Sequence, residues 1–187
     1  MAEVLLFHHA QGLTAGCETF AERLRAAGHL VHLPDLYEGR TFADLDDGIA
    51  NAEEVGFDTI IERGRRAADG LPGELVYAGM SLGVLPAQAL AQTRPGARGA
   101  LLLHGCVPPS ALGSPWPAGL RAQIHLMQDD EVGAEDLDAA RAFAGEVASA
   151  ELFVYPGEAH LFSDRSLPAY DDAAAALLEE RVLRFLA

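Results

Sequence analysis

Short apolar runs alternate along this chain with stretches whose apolar residues recur every three or four positions. The runs fall at about 3–8, 29–33, 74–79, 99–104, 123–127 and 151–155, each rich in leucine or β-branched residues and bounded by Gly, Pro or charge. Those at 3–8 and 99–104 are nearly unbroken, as expected for strands covered on both faces. Between them the spacing predicts helices. Thr19 and Glu22 have capping-box spacing, Phe20, Leu24 and Ala27 share a face, and Gly28 follows as a stop. Further helices are expected over about 56–69, from Leu82 to about Gln92, over about 135–146, and over about 170–186. The last begins at Asp171 and Asp172, ends near Arg181 and Arg184, and carries a stripe of Leu178, Val182, Phe185 and Leu186, an order that suits the helix dipole.

Strand followed by helix, repeated to the end, predicts one α/β domain over residues 1–187. Its mostly parallel sheet has about six strands, with helices on both faces. The irregular stretch is 107–119, with Pro108, Pro109, Pro115, Pro117 and the single Trp116. Loops of that length in compact domains tend to carry function or motion.

Composition narrows the classes. Half of the 187 residues are hydrophobic, enough for a full core, yet no apolar run reaches the length of a membrane span. Met1-Ala2-Glu3 leads straight into Val4-Leu5-Leu6-Phe7 without the basic start and cleavage site of a signal peptide, so a cytoplasmic protein is expected. The net charge is −15 and all 13 fixed cations are arginines. That balance repels a phosphate backbone and argues against a nucleic-acid partner. Cys17 and Cys106 have neither metal nor redox spacing and are expected as buried free thiols.

The strongest chemical signal is Gly79-Met80-Ser81-Leu82-Gly83, which follows the strand Glu74–Ala78 and opens a helix. A G-x-S-x-G in this strand–turn–helix setting is a nucleophile elbow, whose glycines let strand and helix pass closely around a strained serine. A serine needs a base, and the base an orienting acid, in the chain order Ser, acid, His. Asp130 stands three residues after the strand-end Met127, between Asp129 and Glu131, and His160 follows the strand at 151–155. Both lie just past the carboxyl ends of strands, where open α/β sheets bind ligands. Asp130 has the spacing of the usual acid turn; Asp129 and Glu131 remain the alternatives. The oxyanion donors are expected to be the Ala10 amide, from the loop His8-His9-Ala10-Gln11-Gly12, and the Leu82 amide. His8 and His9 point to opposite faces and have no further ligand at metal spacing, so no metal site is expected.

Taken together, Leu6-Phe7-His8-His9-Ala10-Gln11-Gly12, Leu33-Pro34-Asp35-Leu36-Tyr37, Gly79-Met80-Ser81-Leu82-Gly83 and Gly157-Glu158-Ala159-His160-Leu161-Phe162 resemble the dienelactone hydrolase family over the whole chain. The resemblance implies an α/β-hydrolase fold without a large cap domain, and a monomeric, cofactor-free hydrolase with its triad on Ser81, Asp130 and His160. Three positions depart from the family pattern. Ser81 stands for the cysteine nucleophile of the best-known members, and His9 for a glutamate just before the oxyanion donor. An arginine shortly after the catalytic histidine holds the substrate carboxylate in those enzymes; here Asp164 is the fourth residue after His160, with Arg165 next.

Tyr37, Trp116 and Phe162 follow strand ends and are candidates to wall an apolar substrate pocket, with His9 as a polar donor to the substrate. His104 and His125 are expected to be structural. The reading is a serine esterase or lactonase acting on a small-molecule ester or lactone, as monomer or homodimer, without cofactor or membrane partner. A thioesterase on the same scaffold and a non-catalytic binding protein are the rival readings.

Overall fold

The computed structural model describes residues 1–187. In chain order it forms β1 (Glu3–Phe7), α1 (Ala15–Ala26), β2 (Leu30–His32), α2 (Leu45–Val55), α3 (Phe57–Ala67), β3 (Val76–Met80), α4 (Val84–Thr93), β4 (Gly99–Leu103), β5 (Ala122–Met127), α5 (Ala134–Glu146), β6 (Ala150–Tyr155) and α6 (Asp172–Leu186). Single 3₁₀ turns lie at Ser81–Gly83 and Pro109–Leu112. The six strands make one sheet in the order β2-β1-β3-β4-β5-β6, and every pairing is parallel. This is the parallel α/β sheet that the alternation predicts, in the α/β-hydrolase arrangement that the resemblance implies.

The period of two along each strand sorts its side chains into two cores. Leu5, Phe7, Tyr77, Ala100 and Leu102 face one side, against Ala52 of α2, Ile60 of α3, Leu90 of α4 and Phe143 of α5. Val4, Leu6, Val76, Ala78, Leu101 and Leu103 face the other, against Phe20 and Leu24 of α1 and Leu178 and Val182 of α6. Because both faces are covered, β1, β3 and β4 show no polar alternation. No helix is long and apolar enough to cross a membrane.

Two helical expectations change. The first helix starts earlier than Thr19: Thr14 is the N-cap, its hydroxyl accepting from the Cys17 N–H, while the Thr19 hydroxyl bonds Ala15 O inside the helix. Before α3, the acidic segment 45–55 forms α2 and ends at Gly56, whose φ of 86° lets the chain turn into α3. The stretch 107–119 is irregular apart from one 3₁₀ turn, as expected.

Between β1 and β3 the order of strands reverses, since β2 lies on the far side of β1. The loops after these two strands therefore diverge and leave a crevice at the carboxyl edge of the sheet.

Candidate active site

Ser81 sits at the mouth of that crevice with φ of 48°, one of three non-glycine residues with positive φ. The strain is held by close packing. A Cβ at Gly79 would overlap the Gly83 carbonyl oxygen and approach Val84 N to 2.6 Å, and one at Gly83 would overlap Phe7 O and approach His8 O to 2.7 Å. Only glycines at these two places let β3 turn into α4 while touching the end of β1. Pro86 falls in the first turn of α4, where its missing N–H is harmless.

The turn aims the serine at His160. Ser81 Oγ lies 2.8 Å from His160 Nε2, and His160 Nδ1 lies 2.6 Å from Asp130 Oδ2. Asp130 Oδ1 accepts the N–H groups of Val132 at 3.0 Å and Gly133 at 3.1 Å. Burial raises the Asp130 pKa, but the partner imidazole and these two amides outweigh it and hold the carboxyl below its ordinary value. Thus Nδ1 carries the proton facing Asp130, and Nε2 is free to accept one from Ser81. Asp129 and Glu131 are exposed, and the bond to His160 comes from Asp130.

The loop after β1 passes beside the serine. Ala10 is buried and its N–H has no acceptor within the chain, which leaves it free for an incoming oxyanion. Leu82, the second expected donor, is the middle residue of the 3₁₀ turn Ser81–Gly83. The Ala10 loop is braced by α2, where a Cβ at Gly48 would overlap Ala10 O. Gln11 spans the same gap, donating from its amide to Phe42 O at 3.1 Å and Ala43 O at 2.8 Å.

His8 and His9 diverge as adjacent strand-end residues must. His8 donates from Nδ1 to His9 O at 2.8 Å and accepts the Leu36 N–H on Nε2 at 2.9 Å; burial lowers its pKa to about 4, so it stays neutral. His9 is fully buried, donating from Nε2 to Asp164 Oδ2 at 2.8 Å, and Gln11 N–H points at its Nδ1 from 3.2 Å. Burial disfavours charge on His9, but the paired carboxylate more than offsets this and raises its pKa. The Gln11 amide limits that rise, because a second ring proton would oppose its own.

Two departures from the family pattern thus turn out to touch each other. An acid before the oxyanion donor and a base after the histidine are replaced by His9 and Asp164, a pair of reversed polarity. Asp164 also takes the Thr14 hydroxyl on Oδ2 at 2.5 Å and the Ser166 N–H on Oδ1 at 2.8 Å. The Cys17 thiol lies alongside, so that His9, Cys17 and Asp164 place ligand atoms within 4.8 Å of one another. Spacing along the chain could not show this cluster. Its atoms are already joined by hydrogen bonds, and it reads as a brace for the oxyanion loop.

The cleft above Ser81 and His160 has a volume of about 270 Å³. Its apolar wall is Leu82, Val84, Leu85 and Val107, and Phe57 and Val132 stand exposed at its rim (47% and 55%). Gly105, Cys106 and Asp136 close the remaining side. Burial, reinforced by Asp136, pushes the Cys106 thiol up to about 12, so it is inert.

None of the four residues expected to touch substrate lines this cleft. His9 spends its ring on Asp164. Tyr37 is fully buried, its hydroxyl donating to Gly48 O at 3.3 Å. Phe162 is fully buried edge-on to His104, with ring centroids 4.6 Å apart. Trp116 packs on Phe143 and donates to Leu120 O at 2.9 Å, facing a separate hollow of about 660 Å³. A strand-end position sets where a residue sits along the sheet, not which way its side chain points, and large rings are drawn into the core. His104 and His125 are structural, paired with Ser163 Oγ at 2.6 Å and Tyr155 Oη at 2.8 Å. The cleft-lining residues missed in the sequence are Phe57, Val132 and Asp136. The first opens the helix after Gly56, and the other two flank the acid turn.

Comparison with known proteins agrees with this architecture. The pattern that defines the dienelactone hydrolase family matches residues 1–187. Among curated protein sequences, none matches the chain. A dienelactone hydrolase from Anabaena variabilis superposes with a TM-score of 0.69 at 18% identity, covering 100% of this chain and 88% of that one. A dienelactone hydrolase-like promiscuous phosphotriesterase from metagenomic libraries gives 0.76 at 19% identity, covering 100% and 85%. A cold-adapted esterase from an Arctic intertidal metagenomic library gives 0.69 at 18%, covering 100% and 83%. At such identities the likeness establishes the fold.

Proposed function

The chain belongs to the dienelactone hydrolase family, and within that family of hydrolases we propose that it is a serine esterase or lactonase. The observation that carries this reading is the hydrogen-bonded line Ser81–His160–Asp130 on a strained turn at the crevice. His160 Nε2 takes the Ser81 proton as Oγ attacks the carbonyl of an ester or lactone. Asp130 holds Nδ1–H and stabilises the imidazolium that forms. The Ala10 and Leu82 amides receive the oxyanion. His160 returns the proton to the leaving alkoxide, which in a lactone stays attached as the far end of the acyl chain. Water, activated by the now neutral His160, then releases the acid and restores Ser81.

A fluorophosphonate probe together with a screen of short esters, lactones and thioesters tests this. Wild type should be labelled and active, Ser81→Ala neither, and iodoacetamide should leave activity intact. Inactivation by iodoacetamide without phosphonate labelling would move the nucleophile to a cysteine. Faster turnover of thioesters than of matched oxoesters would assign the substrate to the rival class.

A further inference from the structure

The catalytic line accounts for one carboxylate in the cleft and leaves another unexplained. Asp136, in the first turn of α5, faces the same cavity as Ser81 and His160 without belonging to their hydrogen-bonded line. A Cβ added at Gly105 would lie 3.3 Å from Ser81 Cα and 3.4 Å from Asp136 Oδ2. The carboxylate oxygen and Ser81 Cα therefore flank the same small space, which the missing side chain at 105 leaves unfilled. No arginine lines the cleft. Arg165 is turned outward, over the Tyr170 ring at 5.2 Å and toward Asp172 at 3.4 Å.

We propose that Asp136 is a specificity-determining residue that selects substrates bearing a cationic or hydrogen-bond-donating group near the scissile carbonyl and rejects carboxylates. This rests on the esterase reading and deepens it. A substrate seated on Ser81 brings its acyl side chain against the Phe57–Val132 rim and within reach of Asp136. At that range, in a partly solvated cleft, a unit charge changes the relative preference for cation over anion by about tenfold to hundredfold.

The preference carries a pH signature. The groups facing Asp136 are His160, Asp130, the Cys106 amide and thiol, and Glu135 on its own helix. Burial raises its pKa to about 6, with Asp130 and Glu135 adding to the rise and His160 and the Cys106 amide opposing it. Charge on Asp136, and with it the selectivity, therefore grows as pH rises through about 6. The ratio of two substrates on one enzyme cancels whatever pH dependence the catalytic line imposes on both alike.

The experiment measures kcat/KM, corrected for spontaneous hydrolysis, for three nitrophenyl esters. One carries trimethylammonium-butyrate, one its neutral tert-butyl isostere, and one is the glutarate half-ester. Wild type should prefer cation over anion by about tenfold to hundredfold at pH 8, less so in high salt, and the preference should collapse below pH 6. Asp136→Asn should remove it at every pH, and Asp136→Glu should retain it. The same preference in Asp136→Asn, or a flat wild-type ratio across pH 5–8, overturns the proposal while leaving the esterase intact. A wild type inert to all three esters overturns the esterase reading and this one with it. Should Asp136→Asn fail to fold, the wild-type pH profile alone decides.

Discussion

Replacing Asp130 by asparagine changes one atom, and the structure says which. Two backbone N–H groups, from Val132 and Gly133, already point at Oδ1. Asparagine must keep its carbonyl oxygen there, because its amide nitrogen would put donor against donor. The NH₂ group is then forced toward His160 Nδ1, the atom now 2.6 Å from Oδ2. A donor at that point requires Nδ1 to accept, so the ring proton moves to Nε2, and the base can no longer take the proton of Ser81. The expected loss in kcat is about 10³–10⁴-fold, on the scale known for the same change in a serine protease triad. That corresponds to roughly 4–5.5 kcal/mol of transition-state stabilisation. Fold should be retained, since both backbone bonds and the side-chain volume persist. The assay is steady-state hydrolysis of the best short ester, with the rate of fluorophosphonate labelling as an independent measure of serine activation. Asp129→Asn, on an exposed neighbour, should change either rate by less than about threefold, as surface substitutions do. A loss under tenfold at 130, or an equal loss at 129, would refute the tautomer argument.

Ser81→Ala should abolish hydrolysis with little change in Tm, because alanine keeps the Cβ and hence the strain at φ of 48°. Ser81→Gly should be equally inactive but more stable by about 0.5–1 kcal/mol, a rise of about 2 °C in Tm; a lower Tm would mean that the turn is unstrained. Gly79→Ala, whose Cβ would overlap the Gly83 carbonyl oxygen, should cost more than about 3 kcal/mol or prevent folding, checked by urea denaturation; a loss under 1 kcal/mol would contradict the packing. Acid should weaken the fold in two stages. His8 and His125 are buried neutral, with pKa lowered from 6.5 to about 4 and about 3, so their contribution is complete above pH 6.5 and declines below it. Asp164, lowered from 3.8 to about 2, adds a second loss as pH falls from about 4 to about 2. His104, fully buried with its pKa pushed well below 6.5, joins the first stage, where Asp136, raised to about 6, pulls the other way by one site against three. A urea midpoint constant from pH 7 to 4 would contradict the buried neutral histidines.

The sheet, five of the six helices and the Ser81–Asp130–His160 line were legible because each rests on local chemistry. Continuous apolar runs, glycines around a serine, and an acid three residues past a strand all act within a few positions. Helix α2 was not. Its eleven residues bury only Gly48, Asn51 and Ala52, so its apolar stripe is too short to register, and a glycine sits in its middle. The wall of the cleft was misread for a different cause. Position along the strands points to Tyr37, Trp116 and Phe162, while the direction of a side chain depends on partners distant in sequence or folded back on it, such as Gly48, Leu120 and His104. Asp136 was hidden in plain composition: an aspartate in the first turn of a helix is ordinary dipole chemistry until the fold sets it beside a nucleophile.

The His9–Asp164 contact has a consequence for descent. Two buried partners of opposite sign are epistatic, because each is tolerable only beside the other. From the glutamate–arginine pattern of the best-known relatives, replacing the arginine first sets aspartate against glutamate, and replacing the glutamate first sets histidine against arginine. Either half-way sequence leaves like charges or an unmatched ion in a dry interior, at a cost of about 3–5 kcal/mol. The two positions must therefore change nearly together, or through an uncharged intermediate at one of them. Directed evolution toward carboxylate-bearing lactones meets the same barrier. Asp164→Arg by itself would drive a long cation onto His9 in a space where Gly16 packs against the carboxylate, so a passable route exchanges His9→Glu with it or first removes the charge at one of the two positions.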